Sequence, residues 1–264
     1  MERSSSVYYP LFFTHEQIKP RIHKIITTIT NNEKQINSRI KAIPYWEQHF
    51  DTFFSAESVV SNTSKEVYLL KFRHYPKSTY DVLYHIQDYL YRTLEKMTTQ
   101  GIIHLDICEQ NIIMKEDIPL LKITNKCVFV KDIIHCSCTS PPLELYTIWY
   151  LSRFQNKSLS TSNIYELLKE YAPLSEDVSE DVLEDVKNRT EDGFDFLKGF
   201  INKPKEEVIK ELLGYASGWN QYFVSLFFLK REKGKETNES VKQWLLKKIH
   251  INPLKREVGG RFPG

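Results

Sequence analysis

Glycine is scarce and late in this chain: of nine in 264 residues, the first stands at position 101. A loop whose backbone must approach phosphate oxygens closely depends on glycine, so no Gly-rich phosphate cradle can be written in the first hundred residues. Cysteine is also sparse, at 108, 127, 136 and 138, with no spacing that makes a disulfide framework. No apolar stretch approaches the length of a bilayer span or a signal-peptide core. An excess of one charge is missing too, since 36 basic and 34 acidic residues leave a formal net charge of +2. Nothing global therefore points to nucleic acid or to a membrane surface. G-x-S-x-G, H-E-x-x-H and Walker sequences are absent, and the basic residues are not interleaved with aromatics along any groove-like stretch. These absences imply a reducing, intracellular setting, no nucleic-acid partner and no membrane span.

What is present is enough for a core. A hydrophobic content of 41% in a chain of this length fits one two-lobed domain or two small ones. Within Asp81 to Gln100, Leu83, Ile86, Leu90, Leu94 and Met97 recur at three- and four-residue spacing, which predicts an amphipathic helix that Gly101 terminates. There follows Gly101-Ile-Ile-His104-Leu-Asp106-Ile-Cys-Glu-Gln-Asn111-Ile-Ile-Met114, with the spacing H-x-D-x-x-x-x-N.

The rest of the chain divides into a small strand-and-helix part, 1–75, and a mostly helical part, 76–258. In the first, Val7 to Phe13 is a β-favouring run and Arg21 to Ile29 reads as a short buried strand. A helix capped by Asn31 or Asn32 carries Ile36, Ile40 and Ile43 on one stripe before Pro44 stops it. Lys65 to Arg73 is a further strand, and His74 to Ser78 is a turn-rich crossing where a hinge belongs. In the second part, Leu120 to Ile123 and Cys127 to Val130 read as a short hairpin, and Ser140-Pro-Pro-Leu-Glu144 opens a helix through Arg153. Glu176 to Asp192 is the one marked charge run, with Val178, Val182 and Val186 on a narrow face. It predicts an exposed acidic helix or arm. Residues 259–264 read as a flexible tail.

Helix, glycine, short apolar run, HxDxxxxN and second apolar run follow one another in the order seen in the eukaryotic protein-kinase-like superfamily. The chain resembles that superfamily, and in its compactness it is similar to the short, divergent kinase-like proteins of large DNA viruses. Three further segments carry the resemblance. Pro141-Pro-Leu-Glu144 is similar to the Pro-Glu end of the activation segment. Trp219-Asn220-Gln-Tyr-Phe-Val-Ser-Leu226 resembles the central apolar helix, and His250-Ile-Asn-Pro253-Leu-Lys-Arg256 resembles the late Pro-x-x-Arg motif. The resemblance implies an α+β, two-lobed protein-kinase-like fold with a reduced N-terminal β lobe and a mainly helical C-terminal lobe. It also implies that Glu144 and Arg256 form a buried pair.

For the site, the resemblance implies Asp106 as the proton acceptor, His104 as its loop partner and Asn111 as a metal ligand. The second metal ligand of the family is an Asp opening Asp-Phe-Gly, and here Asn125 stands in its place, followed by Lys126-Cys127. A neutral amide is a poorer ligand for Mg²⁺ than a carboxylate. Removing one charge about 4 Å from another near a protein surface changes the Coulomb energy by roughly 4 kcal/mol before screening. Asp132 is the other carboxylate that a re-registered segment would offer. Cys108 occupies the position of the phosphate-facing loop Lys of serine/threonine kinases. Lys24 is the best match to the strand Lys that binds the nucleotide phosphates, and Glu33 to its helix partner. Asn220 stands where the central helix of the family has an Asp that anchors the catalytic-loop backbone. Cys127, His135, Cys136 and Cys138 supply a C-x-C beside a His but no second close-spaced pair, so no zinc is expected.

The residues lost are the Gly-rich hairpin, the metal-binding Asp and the loop Lys. They point to a pseudokinase, a scaffold or regulator with a protein partner and absent or very weak phosphotransfer. If the source is viral, host cytoplasm or virion is where it would act. One alternative is an active atypical serine/threonine kinase using ATP with Mg or Mn, with Asp106 as base, Asn111 and Asn125 on metal, and Lys24 on phosphate. Another is a non-kinase helical interaction protein in which HxDxxxxN is accidental. Oligomeric state is not encoded in any of these features.

Overall fold

The structure, a computed structural model, describes residues 22–27, 31–52, 55–59, 67–73, 83–115, 118–153, 158–171, 190–231 and 239–257. The architecture is α+β. By its contacts the chain forms two compact units, residues 1–86 with 108–127, and residues 87–107 with 128–264. The segment carrying Asn111 and Asn125 thus groups with the N-terminal residues. The sequence expectations for Val7–Phe13, the crossing at 74–78, residues 176–189 of the acidic run and the tail 259–264 lie outside the described residues.

In the first unit, strands β1 (Ile22–Thr27), β3 (Ser55–Val59) and β4 (Val67–Arg73) form an antiparallel sheet in the order β1-β4-β3. Helix α1 (Asn31–Lys41) forms where the Ile stripe requires it, with Glu33 in its first turn, favourable to the helix dipole. Ile36, Ile40 and Ile43 are all buried. Pro44 follows, and Tyr45 turns the chain with a left-handed backbone, φ 56°. A second sheet joins β2 (Phe50–Asp51), β6 (Ile112–Lys115) and β7 (Ile118–Lys122) in the order β2-β7-β6. Asn37 Nδ2 donates to Thr52 Oγ1, tying α1 to the end of β2.

The hairpin expected from 120–123 and 127–130 is not formed. Both runs contain strands, but β7 pairs in parallel with β2 and antiparallel with β6, while β8 (Cys127–Phe129) pairs with β5 (Ile102–His104). Leu120 and Leu121 are consecutive and both fully buried, so both faces of β7 are covered by protein, and its edge N–H and C=O groups are met by β2 on one side and β6 on the other.

In the second unit, α2 (Leu83–Thr99), which enters this unit at Gln87, buries Leu90, Leu94 and Met97 on one stripe. Gly101 ends it with φ +66°, and its N–H reaches the Thr98 carbonyl at 2.9 Å. That is a left-handed glycine stop. Beyond β5 and β8 come α3 (Leu143–Arg153), α4 (Thr161–Glu170), α5 (Thr190–Leu197), α6 (Lys205–Leu213), α7 (Trp219–Arg231) and α8 (Glu239–Lys248). Ser160 opens α4 with a capping box closed by Asn163. Helix α7 is buried on nearly every side from Trp219 to Leu229, as a helix surrounded by protein must be. Burying a side chain of the size of Leu226 or Phe223 contributes about 1.5–3 kcal/mol each, so α7 is the principal apolar element of this unit. Tyr91 of α2 donates to or accepts from Ser225 of α7 and packs edge-on against Trp244 of α8, with ring centroids 5.2 Å apart.

Candidate functional site

The loop begins on β5, whose three residues are all buried. Apolar Ile102 and Ile103 pull the strand into the core, and His104 goes with them, at 0% exposure. Its backbone N–H donates to Asn220 Oδ1 at 2.9 Å. The amide nitrogen of Asn220 donates to the Ile102 carbonyl at 2.8 Å and to Thr98 Oγ1 at 2.9 Å. A fully buried amide is thereby satisfied at both ends. His104 Nδ1 in turn accepts the N–H of Asp106 at 3.3 Å, which puts the ring proton of a neutral His104 on Nε2. Asp106 is an exposed residue, and its backbone is held at that surface position by His104.

The second support is an ion pair. Arg256 Nη2 donates to Glu144 Oε2 at 2.9 Å, and Nη1 donates to Oε1 of the same carboxylate. Trp219 Nε1 adds a third donor to Oε1 at 2.9 Å, and Arg256 Nε reaches the His250 carbonyl at 2.6 Å. The guanidinium lies over the Tyr222 ring, 5.2 Å from its centroid. Burial works against the Arg256 charge, but the Glu144 carboxylate beside it outweighs that and its pKa is raised. Burial also pushes the phenols of Tyr171 and Tyr222 up. Both hydroxyls donate to the Pro141 carbonyl, at 3.0 and 3.5 Å, so the turn before α3 is bonded from two elements. Nearby, Asp192 accepts from His250 Nε2 at 3.2 Å and from Lys255 at 2.6 Å, fixing the Pro253–Lys255 turn against α5.

In the first unit Asn111 closes a 3₁₀ turn over Glu109–Asn111 and is buried, and its Nδ2 donates to Cys108 Sγ at 3.2 Å. Cys108 thereby orients the Asn111 amide. Asn125 is exposed at the turn after β7, where Thr124 accepts the N–H groups of Lys126 and Cys127. Lys24 is placed by its backbone in β1, opposite Lys71. Glu33 is half-buried in the first turn of α1. The Lys24 side chain is not among the described parts of the structure, so the expected Lys24–Glu33 pair lies outside it. Asp132 is half-buried, and its carbonyl accepts from Cys136 Sγ at 3.7 Å.

For Mg²⁺ on a nucleotide, Asn111 and Asn125 are a poor donor set, because both are neutral amides and a hard dication favours carboxylate oxygen. Among the described residues no group of three or more His, Cys, Asp or Glu side chains is arranged to hold a metal ion. Cys127 is fully buried while His135 is exposed. No helix among the described residues is long and apolar enough to cross a membrane.

The structure thus brings together Glu144 with Arg256, and Asn220 with the backbone of His104. Sequence reasoning missed Thr98, Trp219 and Tyr171 as partners in these clusters. Thr98 follows Leu94 by four and hydrogen-bonds its carbonyl at 2.9 Å, so in sequence it reads as an ordinary helix-terminal threonine. Compared with known proteins, the chain matches no family model and no curated protein.

Proposed function

We propose that the chain is a protein-kinase-like protein with a two-lobed arrangement, acting as a pseudokinase: a scaffold or regulator for a protein partner, with absent or very weak phosphotransfer. The observation that carries the reading is the Glu144–Arg256 pair. It joins two motif segments far apart in sequence that only the kinase resemblance singled out, and it is a forked, fully hydrogen-bonded pair inside one unit. The anchoring of His104 by Asn220 supports the same reading, since it falls where the resemblance implies a loop anchor. Against efficient catalysis stand the missing glycines, the neutral exposed Asn125 and the Cys108 substitution. Phosphoryl transfer depends almost wholly on positioning and electrostatics, and these changes deplete both.

A thermal-shift titration with ATP, with and without Mg²⁺ or Mn²⁺, tests this. A ligand that binds only the native state raises its apparent stability. The wild-type chain is expected to show no metal-dependent shift, and Asn125→Asp to gain one only in part, because no glycine hairpin covers the phosphates. A large metal-dependent shift in the wild type contradicts the proposal. The retained, exposed Asp106 is the feature that favours the alternative of an active atypical kinase, and a shift of that kind turns the reading to it.

A further inference from the structure

We propose that Thr98 and Asn220 form a charge-free anchor that positions the His104–Asp106 backbone, and that this anchor is built for an amide and rejects the carboxylate that the kinase resemblance implies at position 220. The donor and acceptor pattern around Asn220 is unambiguous. One neighbour, the His104 N–H, offers a proton to Oδ1. The others are acceptors toward Nδ2: the Ile102 carbonyl at 2.8 Å, Thr98 Oγ1 at 2.9 Å and, behind them, the Leu94 carbonyl at 3.4 Å. Thr98 Oγ1 has already given its own proton to the Leu94 carbonyl. An ionised carboxylate only accepts. At 220 it would set one oxygen against two carbonyl oxygens in a site with no solvent exposure. The Thr98 hydroxyl could turn toward it only by abandoning Leu94. A buried charge with a mismatched partner is disfavoured on both counts.

The bonds then run onward from His104, whose Nδ1 takes the Asp106 N–H. Thr98, Asn220, His104 and Asp106 are therefore linked in series, from the end of α2 through α7 to the loop. Thr98 is a positioning residue two bonds removed from the loop it steadies. The proposal deepens the pseudokinase reading and rests on it only for the purpose of the loop. Its tests need neither nucleotide nor activity, so it can fail while that reading stands, and the reverse.

Two measurements test it. In the first, the stability of Asn220→Asp is followed against wild type from pH 5 to pH 8. A protonated carboxyl restores the donor toward Ile102, so its folded pKa must lie above the unfolded value of about 3.9. Folded protein then holds the proton that unfolded protein has lost, and stability falls as pH rises toward the raised pKa. The gap to wild type should widen across this range by about 5 °C or more in Tm. The other titratable groups around the anchor are His104 on β5, Tyr91 on α2, and the Glu144–Arg256 pair that meets Trp219. All are present in both proteins, so the difference isolates the introduced carboxyl. Parallel curves, or a variant more stable than wild type at pH 8, overturn the proposal. The second measurement is hydrogen exchange at the His104 amide, which is read even if Asn220→Asp folds poorly. Thr98→Val should speed exchange there several-fold while Thr98→Ser leaves it unchanged. Equal protection in Thr98→Val and wild type also overturns it.

Discussion

The guanidinium of Arg256 is forked onto the carboxylate of Glu144, 112 residues away in sequence, with Trp219 supplying a further hydrogen bond and neither side chain open to solvent. Such a pair specifies an arrangement more than it stabilises one, because each charge gave up its hydration to enter. Removing one partner strands the other. Glu144→Ala or Arg256→Ala should therefore cost about 3–5 kcal/mol, while Glu144→Leu with Arg256→Met should cost clearly less than the sum of the single changes. Urea unfolding of the four proteins measures this. Single variants within about 0.5 kcal/mol of wild type, the range of surface changes, contradict the account of a desolvated pair.

Much of the second unit was legible because its signals are local. The stripe Leu90, Leu94, Met97 and the stop at Gly101 place the described part of α2, Leu83–Thr99, inside the expected span and end it within one residue. The Pro-Pro pair before Leu143 fixes the start of α3. Strand pairing was less legible. The run at 118–122 has the composition of a strand, but its partners at 50–51 and 112–115 are non-adjacent or tightly turned segments, and composition carries neither partner nor register. Side-chain clusters fared as their chemistry allows. Glu144 and Arg256 stood out through a motif resemblance, whereas Thr98 and Tyr171 act through single hydroxyls that any helix end or loop could carry.

Gly101 should be sensitive for a backbone reason alone. Its φ is +66°, and a Cβ there would meet nothing within 4 Å, so no packing clash contributes. Gly101→Ala is expected to cost about 1–2 kcal/mol from the left-handed conformation, and Gly101→Asn less, since Asn tolerates that region. Denaturant midpoints for both variants check the order. Equal loss in both would point to crowding instead of backbone strain.

Alkaline pH should unfold the second unit more steeply than its exposed tyrosines would suggest. Burial raises the phenols of Tyr91, Tyr171 and Tyr222 above the ordinary value of 10.0. Below about pH 10 both folded and unfolded states keep these protons. Above it the unfolded chain releases them first, so stability present at neutral pH is lost as pH rises. Tyrosinate absorbance should appear for these three residues only together with loss of structure. Tyr222→Phe, which removes the buried hydroxyl bonded to Pro141 and Tyr171, should lose stability less steeply above pH 10 than wild type does. Full tyrosine ionisation in a chain that stays folded contradicts this.

The proposed kinase-like chain without efficient phosphotransfer keeps the loop carboxylate of Asp106, and that residue decides between the two readings. The most direct measurement is incorporation of labelled γ-phosphate from ATP, with Mg²⁺ and with Mn²⁺, into the protein itself and into a generic basic substrate, comparing wild type with Asp106→Ala. The account predicts no incorporation above background and no difference between the two proteins. Phosphorylation by the wild type that Asp106→Ala abolishes contradicts it and makes the chain an active, atypical kinase.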